Sequence, residues 1–457
     1  MARLAELLVR GRTVVPVLVA YAQARNRAFD DRADLEAFQA SRLRRVLGRA
    51  ATVFPYYRGL AGHHVSEFPV MTKDIWLQHF SELNTAGASL GECLAAARAT
   101  ESRREFDAAT GGLAIGLSTG TSGRQGAFLT SPAERARWAG VMLAKALPSG
   151  LRRPARVALF LRSGGELYEA VGSARIDFRY FDLALPWERL SAELAAFAPT
   201  ILAAPPAVLG RLADALERGE LTMPPPEVVY SVADVLEPEL QARVRTALLA
   251  PVGQIYQATE GFLGITCAAG TLHLNEDLVV VEREVIDPAT GRFVPIVTDL
   301  WRTSQAIIRY RLDDILVPSP APCVCGSVLL AIDRVEGRAD DVLLLGPSRG
   351  GPPPQPVIAH QVEDALRPLY ADFVRAAILA VPRIVDFRLV QTAPAQASLA
   401  LRLEEGASGE RAFSAASVAL DEVCRRAGLQ PLPVTPAPWP TETLATKARR
   451  VRRDFAA

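Results

Sequence analysis

The feature that most constrains the fold is a series of short apolar segments in the middle of the chain. Amphipathic stretches such as Ala207–Glu217 and Pro238–Leu249 lie among them and predict helices. A strand that is apolar along its whole length is buried on both faces, which is typical of a parallel sheet covered by helices. The sequence therefore predicts an α/β fold with mostly parallel sheets. The segments that predict its strands are Val157–Leu161, Phe178–Leu183, Thr200–Ala203 and Val228–Ser231.

The sequence pattern changes near Cys267. Apolar and polar residues alternate in three later segments, and turn signals at Asp287-Pro288 and Thr290-Gly291 separate the first two. Such alternation predicts an antiparallel β subdomain. The three segments are Leu278–Ile286, Phe293–Val297 and Ile307–Val317.

A Gly- and Pro-rich stretch, Gly346–Pro356, marks a second change of composition. The part of the chain near and beyond it, about 120 residues, is long enough for a core of its own. We therefore predict a large N-terminal domain over residues 1–337 and a small, mobile α+β domain over residues 338–457. The helical and strand-like segments of the small domain are Ile358–Leu369, Arg375–Ala380, Leu399–Leu403 and Glu410–Ala427.

The composition excludes several classes of protein. The chain has 457 residues, of which 49% are hydrophobic and 22% charged, with a net charge of +1. These values are those of an ordinary globular protein, and they give no general attraction for nucleic acid or an anionic membrane. Five cysteines in so long a chain do not form a disulfide framework. We therefore expect a reduced, cytoplasmic protein that binds neither nucleic acid nor membranes.

The N-terminal region contains a mostly apolar run, Thr13–Ala22, behind Arg10 and Arg12. This run is too short to span a bilayer. The charges on both of its flanks favour a surface helix, bent near Pro16, over a cleaved signal peptide. An exposed apolar helix at this position is compatible with a homodimer.

A loop rich in glycine and hydroxyl side chains lies between Ser118 and Gly126. Its glycines allow successive backbone N–H groups to point at one anion, an arrangement that suits the phosphates of a nucleotide. No G-K-[ST] follows, so this is not a Walker loop. A short strand, Ala127–Thr130, precedes a helix that begins at Ser131, with Pro132 and Glu134 completing a capping box. Composition alone also allows a flexible surface turn.

Three further segments combine residue types that bind nucleotides. In Ile255–Gly261, Tyr256 can lie against a purine, Thr259 can bind a phosphate and Glu260 can hold Mg²⁺. A carboxylate in Ile308–Asp314 can bind ribose hydroxyls, while Arg309 meets a phosphate or carboxylate. Glu336–Asp341 suits a hinge, because a glycine lies beside charged residues. Each segment also has an ordinary interpretation: a solvated strand end, cross-strand ion pairs or a linker turn.

Four residues have the types and spacing of a zinc site. Cys323 and Cys325 form a tight thiol pair followed by a glycine, and Cys267 and His273 form a second pair upstream. Three thiolates and one imidazole make a closed, tetrahedral structural site. The alternative is that these thiols are reduced and pack as small hydrophobic groups.

In order and approximate spacing, these segments resemble the adenylate-forming (acyl-CoA synthetase and ligase) superfamily. The resemblance covers nearly the whole chain and is greatest to phenylacetate-CoA ligase-like proteins, including those related to coenzyme F synthetase. The matching segments are the phosphate loop Ser118–Gly126, the adenine-adjacent Ser231–Asp234, the Y-x-x-T-E segment Tyr256–Glu260, the I-R-Y-x-x-x-D strand Ile308–Asp314, the G-R-x-D-D hinge Gly337–Asp341 and the lysine segment Thr443–Arg450.

The resemblance implies a role for each matching residue. Lys447 would bridge the carboxylate and the α-phosphate, where a cation lowers the barrier by stabilising developing charge. Glu260 would ligate Mg²⁺, and Thr259 would be a third catalytic residue beside Lys447 and Glu260. Asp340 would be the pivot on which the small domain turns. The residues that would bind ATP or AMP are Ser118, Thr119, Gly120, Thr121, Ser122, Gly123, Ala233, Asp234, Tyr256, Gln257, Asp314 and Arg338.

The implied function is ATP-dependent adenylation of an aromatic or other small carboxylic acid. Acyl-AMP and pyrophosphate would form first, and the acyl group would then pass to a thiol such as CoA. The expected cofactors are ATP, Mg²⁺ and a structural Zn²⁺, and the pocket would draw on Tyr180–Leu183, Ser231–Asp234 and Gln257–Leu263.

Alternatives remain at this point. The acyl acceptor can instead be a carrier protein or an amine, or AMP itself can be joined to a small molecule as in coenzyme F synthetase. Arg124-Gln125 stand where the loop usually has a lysine, and Ala445-Thr446 precede Lys447 where a glycine is common. These departures leave open a nucleotide-binding protein without turnover. The basic residues around Lys447 are also compatible with a solvated tail.

Overall fold

The structure is a computed structural model that describes residues 2–103, 105, 107–118, 125–162, 175–338, 342–348, 366–441 and 449–455. For residues 2–13 and for Asp372 only the backbone is described. No helix in these ranges is long and apolar enough to cross a membrane.

The chain divides into two compact units. Unit 1 comprises Met1–Glu282, Ile296–Leu312 and Ser319–Asp333, and unit 2 comprises Arg283–Pro295, Asp313–Pro318 and Arg334–Ala457. Unit 2 thus takes Arg283–Pro295, Asp313–Pro318 and residues 334–337 from the region that the sequence assigns to the large domain. The boundary between residues 337 and 338 and the mobility of the small domain stay predictions.

The described residues include α-helices in both units. The α-helices are α1 Ala2–Arg25, α2 Arg32–Val53, α3 Lys73–Gln78, α4 Leu90–Ser102, α5 Pro132–Ala146, α6 Trp187–Phe197, α7 Pro206–Glu217, α8 Pro238–Leu248, α9 Ala371–Leu379 and α10 Gly409–Arg426. Single 3₁₀ turns are Pro55–Tyr57, Val65–Glu67, Phe80–Leu83 and Gly150–Arg152.

Strands occupy the rest of the regular structure. They are β1 Ala109–Thr110, β2 Leu113–Leu117, β3 Ala127–Thr130, β4 Ala155–Leu161, β5 Ile176–Asp182, β6 Ile201–Ala204, β7 Val228–Ser231, β8 Val252–Ala258, β9 Gly261–Thr266, β10 Leu272–Leu274, β11 Val279–Asp287, β12 Arg292–Asp299, β13 Tyr310–Arg311, β14 Asp314–Pro318, β15 Ala331–Arg338, β16 Leu343–Leu345, β17 Arg367–Leu369, β18 Ile384–Ala393, β19 Gln396–Leu403, β20 Val434–Pro436 and β21 Val451–Arg453.

The main sheet of unit 1 confirms the predicted α/β class. Its strands run in the order β5-β4-β6-β7-β8-β9-β10. The pairs from β5 to β8 are parallel, and every residue of β6 and β7 is buried. Strands buried on both faces need apolar residues throughout, which is the pattern that the sequence shows there.

The predicted antiparallel β subdomain is present, with one correction. β9–β10, β10–β15 and β12–β13 pair antiparallel in unit 1, and Phe293 faces Leu316 in the antiparallel pair β12–β14 of unit 2. The continuous strand predicted over residues 307–317 was wrong, since the structure has two short strands, β13 and β14, in its place. Arg309 has a left-handed φ of 47°, which no residue of a regular strand adopts.

Unit 2 contains a small α+β core, as predicted. Its sheet has the order β20-β19-β18-β21, with β18–β19 antiparallel and the outer pairs parallel. Apolar side chains of the sheet and of α9 and α10 pack together, among them Ile378, Phe387, Leu389 and Leu420. The sequence reading did not include β18, although its alternation of apolar and charged residues is typical of a half-buried strand.

The N-terminal helix α1 packs closely on α5. A Cβ atom built on Gly140 would lie 2.3 Å from the carbonyl oxygen of Val17 and 2.7 Å from Cβ of Ala20. Only glycine therefore allows this close approach of the two helices. The other face of α1 leaves Val14, Val15, Leu18 and Val19 exposed, and a homodimer through it stays a prediction.

Candidate functional site

The carboxyl ends of β7 and β8 bring together two of the segments that the sequence singled out. The strands are adjacent and parallel, with Ser231 opposite Gln254. Ligands of open α/β sheets bind at this edge. Ser231 is buried, and its hydroxyl has no hydrogen-bond partner among the described residues. After it, Ala233 takes a left-handed φ of 68°, and the carboxylate of Asp234 accepts from the backbone N–H of Val235.

Thr259 and Glu260 form the two-residue turn between β8 and β9. Ala258 pairs with Gly261 in this antiparallel hairpin, and Tyr256 and Gln257 precede the turn on β8. The turn fixes the backbone positions of the residues predicted to bind Mg²⁺ and phosphate.

The carboxyl group of Glu260 lies in a dense, polar environment. Burial raises its pKa above the usual value, although Thr259, the backbone N–H of Glu260 and Tyr310 donate hydrogen bonds to the carboxylate. The positive charge of Arg302 also favours the ionised form. Burial penalises the ionised form of Glu260 more than these contacts favour it. A bound cation would therefore stabilise the carboxylate.

Arg302 and Asp299 complete this site, and the sequence reading missed both. Arg302 Nη1 donates to the carbonyl oxygen of Thr259 at 2.8 Å. Asp299 Oδ1 accepts from the backbone N–H groups of Trp301 and Arg302 at 2.7 and 2.8 Å and so fixes the turn that carries Arg302. Burial raises the pKa of Asp299, and Arg302 opposes that shift. The sequence indicates these two residues only weakly, as a pair of opposite charges just after the predicted strand Phe293–Val297.

The base of the Gly-rich loop is a closed hairpin. Leu117 pairs with Ala127 between β2 and β3. The N–H of Ser118 donates to the carbonyl of Gly126 at 2.8 Å, and the N–H of Gly126 donates to Ser118 Oγ at 2.7 Å. Ser118 therefore closes the loop. The other loop residues of the prediction, Thr119–Gly123, lie outside the described residues, as do Asp340 and Lys447.

The capping box predicted at Ser131 is confirmed, and its carboxylate does more than cap α5. Glu134 accepts from the N–H and hydroxyl of Ser131 at 2.7 and 2.8 Å. It also accepts from the backbone N–H of Thr303 and from the N–H and hydroxyl of Ser304. Glu134 thereby joins the helix that follows the Gly-rich loop to the turn that carries Arg302.

Arg309 makes its contacts with protein groups, as in the ion-pair alternative that the sequence also allows, and a ligand-binding role stays a prediction. Its Nε and Nη2 contact the carboxylate of Glu282 at 2.9 and 2.8 Å, and its Nη1 donates to the carbonyls of Ser66 and Phe68 at 3.0 and 2.8 Å. These protein contacts, together with the N–H that donates to Thr298 Oγ1, hold the left-handed backbone at Arg309. The residue is therefore a structural link between segments of unit 1.

The residues predicted to bind ribose lie in unit 2. Arg338 Nη2 contacts Asp313 Oδ2 at 2.6 Å, one residue before the predicted ribose ligand Asp314. Gly337 has a φ of 126°, which side-chain-bearing residues rarely adopt, so a glycine is required just before the predicted pivot.

Cys267, His273, Cys323 and Cys325 come together in unit 1 with the geometry of a metal site. Their ligand atoms all lie within 4.8 Å of one another. The sulfurs of Cys267 and Cys323 are 3.7 Å apart, and His273 Nε2 is 3.4 Å from the sulfur of Cys325. Tetrahedral zinc with Zn–S bonds of about 2.3 Å requires S···S distances of about 3.8 Å.

The tautomer of His273 and the pKa values of Cys323 and Cys325 also favour the binding of a cation by these four residues. Nδ1 of His273 lies 3.0 Å from the carbonyl of Leu329, so it carries the proton and leaves Nε2 to bind a metal. A hydrogen bond from Thr271 lowers the pKa of Cys323 to about 6. Burial and the neighbouring thiols raise the pKa of Cys325 to about 11. Thiolates at both Cys323 and Cys325 therefore need a cation that compensates their charge.

No protein-family model and no curated protein matches the chain. Solved structures do match. The crystal structure of 2-hydroxyisobutyryl-CoA ligase in the postadenylation state with 2-HIB-AMP is 19% identical, with 93% of this chain and 90% of that chain covered and a TM-score of 0.65. An open conformation of that ligase with 2-HIB-AMP and CoA is also 19% identical, with coverage of 93% and 92% and a TM-score of 0.55.

A second kind of ligase matches over a shorter length. The amide bond synthetase McbA from Marinactinospora thermotolerans is 15% identical, with 74% of this chain and 68% of that chain covered and a TM-score of 0.50. At these identities the similarity concerns the fold. The chain therefore has the fold of adenylate-forming ligases over nearly its whole length.

Proposed function

We propose that this protein is an adenylate-forming ligase that converts a small carboxylic acid to its acyl-AMP. The observation that carries the proposal is the Thr259–Glu260 turn, where a carboxylate and the Arg302 guanidinium lie at the ligand-binding edge of a sheet. This arrangement occurs in a protein whose fold is shared by a ligase that was solved with a bound acyl-AMP. The motifs that resemble phenylacetate-CoA ligases support that branch.

The reaction would proceed in two steps. A carboxylate oxygen attacks the α-phosphorus of ATP, and pyrophosphate leaves. A thiol sulfur then attacks the acyl carbon, and AMP leaves with the oxygen that it shared with the acid. No side-chain nucleophile is needed, because positioning and charge neutralisation supply the catalysis. Glu260 would hold Mg²⁺, a hard cation that prefers oxygen ligands.

Arg302 would supply a fixed positive charge at the Thr259–Glu260 turn, in addition to that of Arg124 in the Gly-rich loop. The loop has Arg124-Gln125 where its usual lysine would be. The guanidinium of Arg302 contacts the carbonyl of Thr259, and its turn is joined through Glu134 to the first turn of α5, just after that loop. A fixed cation at this position can stabilise the charge that develops on the departing pyrophosphate.

Separate observations favour a class of acid and an acyl acceptor. The unpartnered hydroxyl of Ser231 and the apolar residues beside it support a small, mainly apolar pocket, consistent with an aromatic acid. A thiol such as CoA is the favoured acceptor, since a structure of similar fold contains CoA. An amine is the second candidate, because an amide bond synthetase shares the fold.

The first test is ATP–pyrophosphate exchange with a panel of aryl and short aliphatic acids. We expect one class of acid to stimulate exchange in the wild type. Lys447→Ala should abolish it, because that variant lacks the cation beside the α-phosphate, whereas Lys73→Ala, at the start of α3, should retain it. Binding of ATP without exchange for any acid would contradict the proposal and favour nucleotidyl transfer or a non-catalytic role.

A second prediction concerns Arg302. Arg302→Met should slow exchange by roughly a hundredfold, the usual cost of removing one preorganised donor from a transition state. Arg302→Lys should recover part of the rate, because it restores the charge without the contact to Thr259. Arg175→Met, which removes another guanidinium bonded to a backbone carbonyl, is the matched control. Equal rates for the three variants would contradict the role of Arg302.

A third prediction concerns the cysteine cluster, which we propose binds a structural zinc ion. Protein purified without chelator should contain about one zinc ion per chain. Cys325→Ser should lose that zinc and lower the Tm, whereas Cys93→Ala, which alters a buried cysteine outside the cluster, should keep it. Elemental analysis and thermal denaturation measure both effects. A wild type without metal after growth in zinc would contradict the site.

A further inference from the structure

Three arginines lie around one tryptophan, Trp301, in unit 1. The carbon Cζ of Arg42 lies 3.4 Å, and that of Arg137 3.2 Å, from the ring centroid of Trp301. At such distances the two guanidinium groups cannot share one face, so they stack on opposite faces of the indole. Arg27 Cζ lies 5.3 Å from the same centroid. We call Arg27, Arg42, Arg137 and Trp301 the arginine cluster.

The arginine cluster has more positive than negative charge. Asp277, which is buried, is shared between Arg27 Nη1 at 3.4 Å and Lys145 Nζ at 3.0 Å. Asp299, the other nearby carboxylate, already accepts two backbone N–H groups. Neither Arg42 nor Arg137 has a carboxylate oxygen within 4.0 Å in the part of the chain that the structure describes. Four cations thus lie near two carboxylates, and of these two only Asp277 forms an ion pair with any of the four among the described residues.

The donors of Arg42 and Arg137 are largely unused. Arg42 Nη2 donates to the carbonyl of Leu300 at 3.1 Å. The Nε atoms of both residues are buried and have no hydrogen-bond partner among the described residues. A buried donor without a hydrogen-bond partner lowers the stability of the folded state. Like charges that are close together and partly desolvated lower it as well. Burial and the charges of Arg27 and Arg42 accordingly lower the pKa of Arg137 to about 10.

We propose that the arginine cluster is a binding site for a phosphate group. A phosphate oxyanion offers several acceptors in the geometry of the guanidinium fork, and its double charge compensates the surplus at one point. Arg45 and Arg49 follow Arg42 on α2, are exposed, and would form the rim. Two sources share this chemistry: free phosphate and a phosphate group carried by a larger ligand, such as the 3′-phosphate of CoA.

Phosphate bound at the arginine cluster would restrain the turn that carries Arg302. Arg42 and Arg49 donate to the carbonyls of Leu300 and Thr303, the latter at 3.3 Å, so both arginines link α2 to that turn. A phosphate drawn to these guanidiniums would therefore restrain the segment that reaches Thr259. Phosphate binding itself does not depend on adenylation, so it can be tested apart from the proposed function.

The experiment compares thermal unfolding in inorganic phosphate and in chloride at equal ionic strength. Phosphate should raise the Tm of the wild type by mass action. Arg137→Met and Arg42→Met should each weaken phosphate binding about tenfold or more, a loss that corresponds to one charge-assisted contact. The matched control is Arg211→Met, which removes a guanidinium 4.9 Å from the ring centroid of Trp187 elsewhere in unit 1.

The response in chloride separates binding from a purely structural role. Removal of an uncompensated cation should leave the Tm of Arg137→Met in chloride unchanged or raised. An equal loss of Tm in both salts would mean that stacking alone explains the cluster and would overturn the proposal. A phosphate response that persists in both cluster variants, as it would for phosphate bound at the Gly-rich loop, or that is missing in the wild type, would also overturn it.

Calorimetric titration with CoA and with dephospho-CoA identifies the source of the phosphate. Tighter binding of CoA in the wild type, with the difference lost in Arg137→Met, would assign the site to the 3′-phosphate of CoA. Equal binding of both compounds, together with the phosphate response in Tm, would assign it to free phosphate.

Discussion

The arrangement of the candidate site depends on the half-buried carboxylate of Glu134. It accepts hydrogen bonds from Ser131, at the start of α5, and from Thr303 and Ser304, which follow Arg302. Burial opposes its ionisation, but these hydrogen bonds outweigh that effect and lower its pKa. The stabilisation is therefore complete above the ordinary pKa of a glutamate and is lost only as the pH falls through the lower, folded-state pKa.

The turn from Asp299 to Thr303 has three kinds of support. Asp299 fixes its backbone, Glu134 holds its end, and Arg42 and Arg49 bind its carbonyls from α2. Arg302 is thus preorganised toward Thr259, and little reorganisation is needed when charge develops. A fixed cation at the Thr259–Glu260 turn makes the fold and the proposed chemistry compatible although the loop has no lysine.

Local signals account for what the sequence predicted well. The strand Val228–Ser231 and the capping box at Ser131 were predicted with the bounds that the structure has, because burial pattern and cap chemistry are properties of a few neighbouring residues. The Cys and His spacing likewise predicted four side chains that come together. Arg302 and the left-handed Arg309 were not predicted in their roles, because their partners Thr259 and Glu282 are remote in sequence. Asp299 was missed because its turn matters only through Arg302, although its own partners Trp301 and Arg302 are local.

Transfer of oxygen from the acid to AMP is the most direct test of the central claim. The carboxylic acid is labelled with ¹⁸O in its carboxyl group, and the AMP released during turnover is analysed by mass spectrometry. Adenylation predicts AMP that carries one ¹⁸O atom, because the attacking carboxylate oxygen stays on phosphorus when the acyl group departs. AMP without the label, formed at the same rate as product, would contradict an acyl-AMP intermediate and with it the function proposed for this fold.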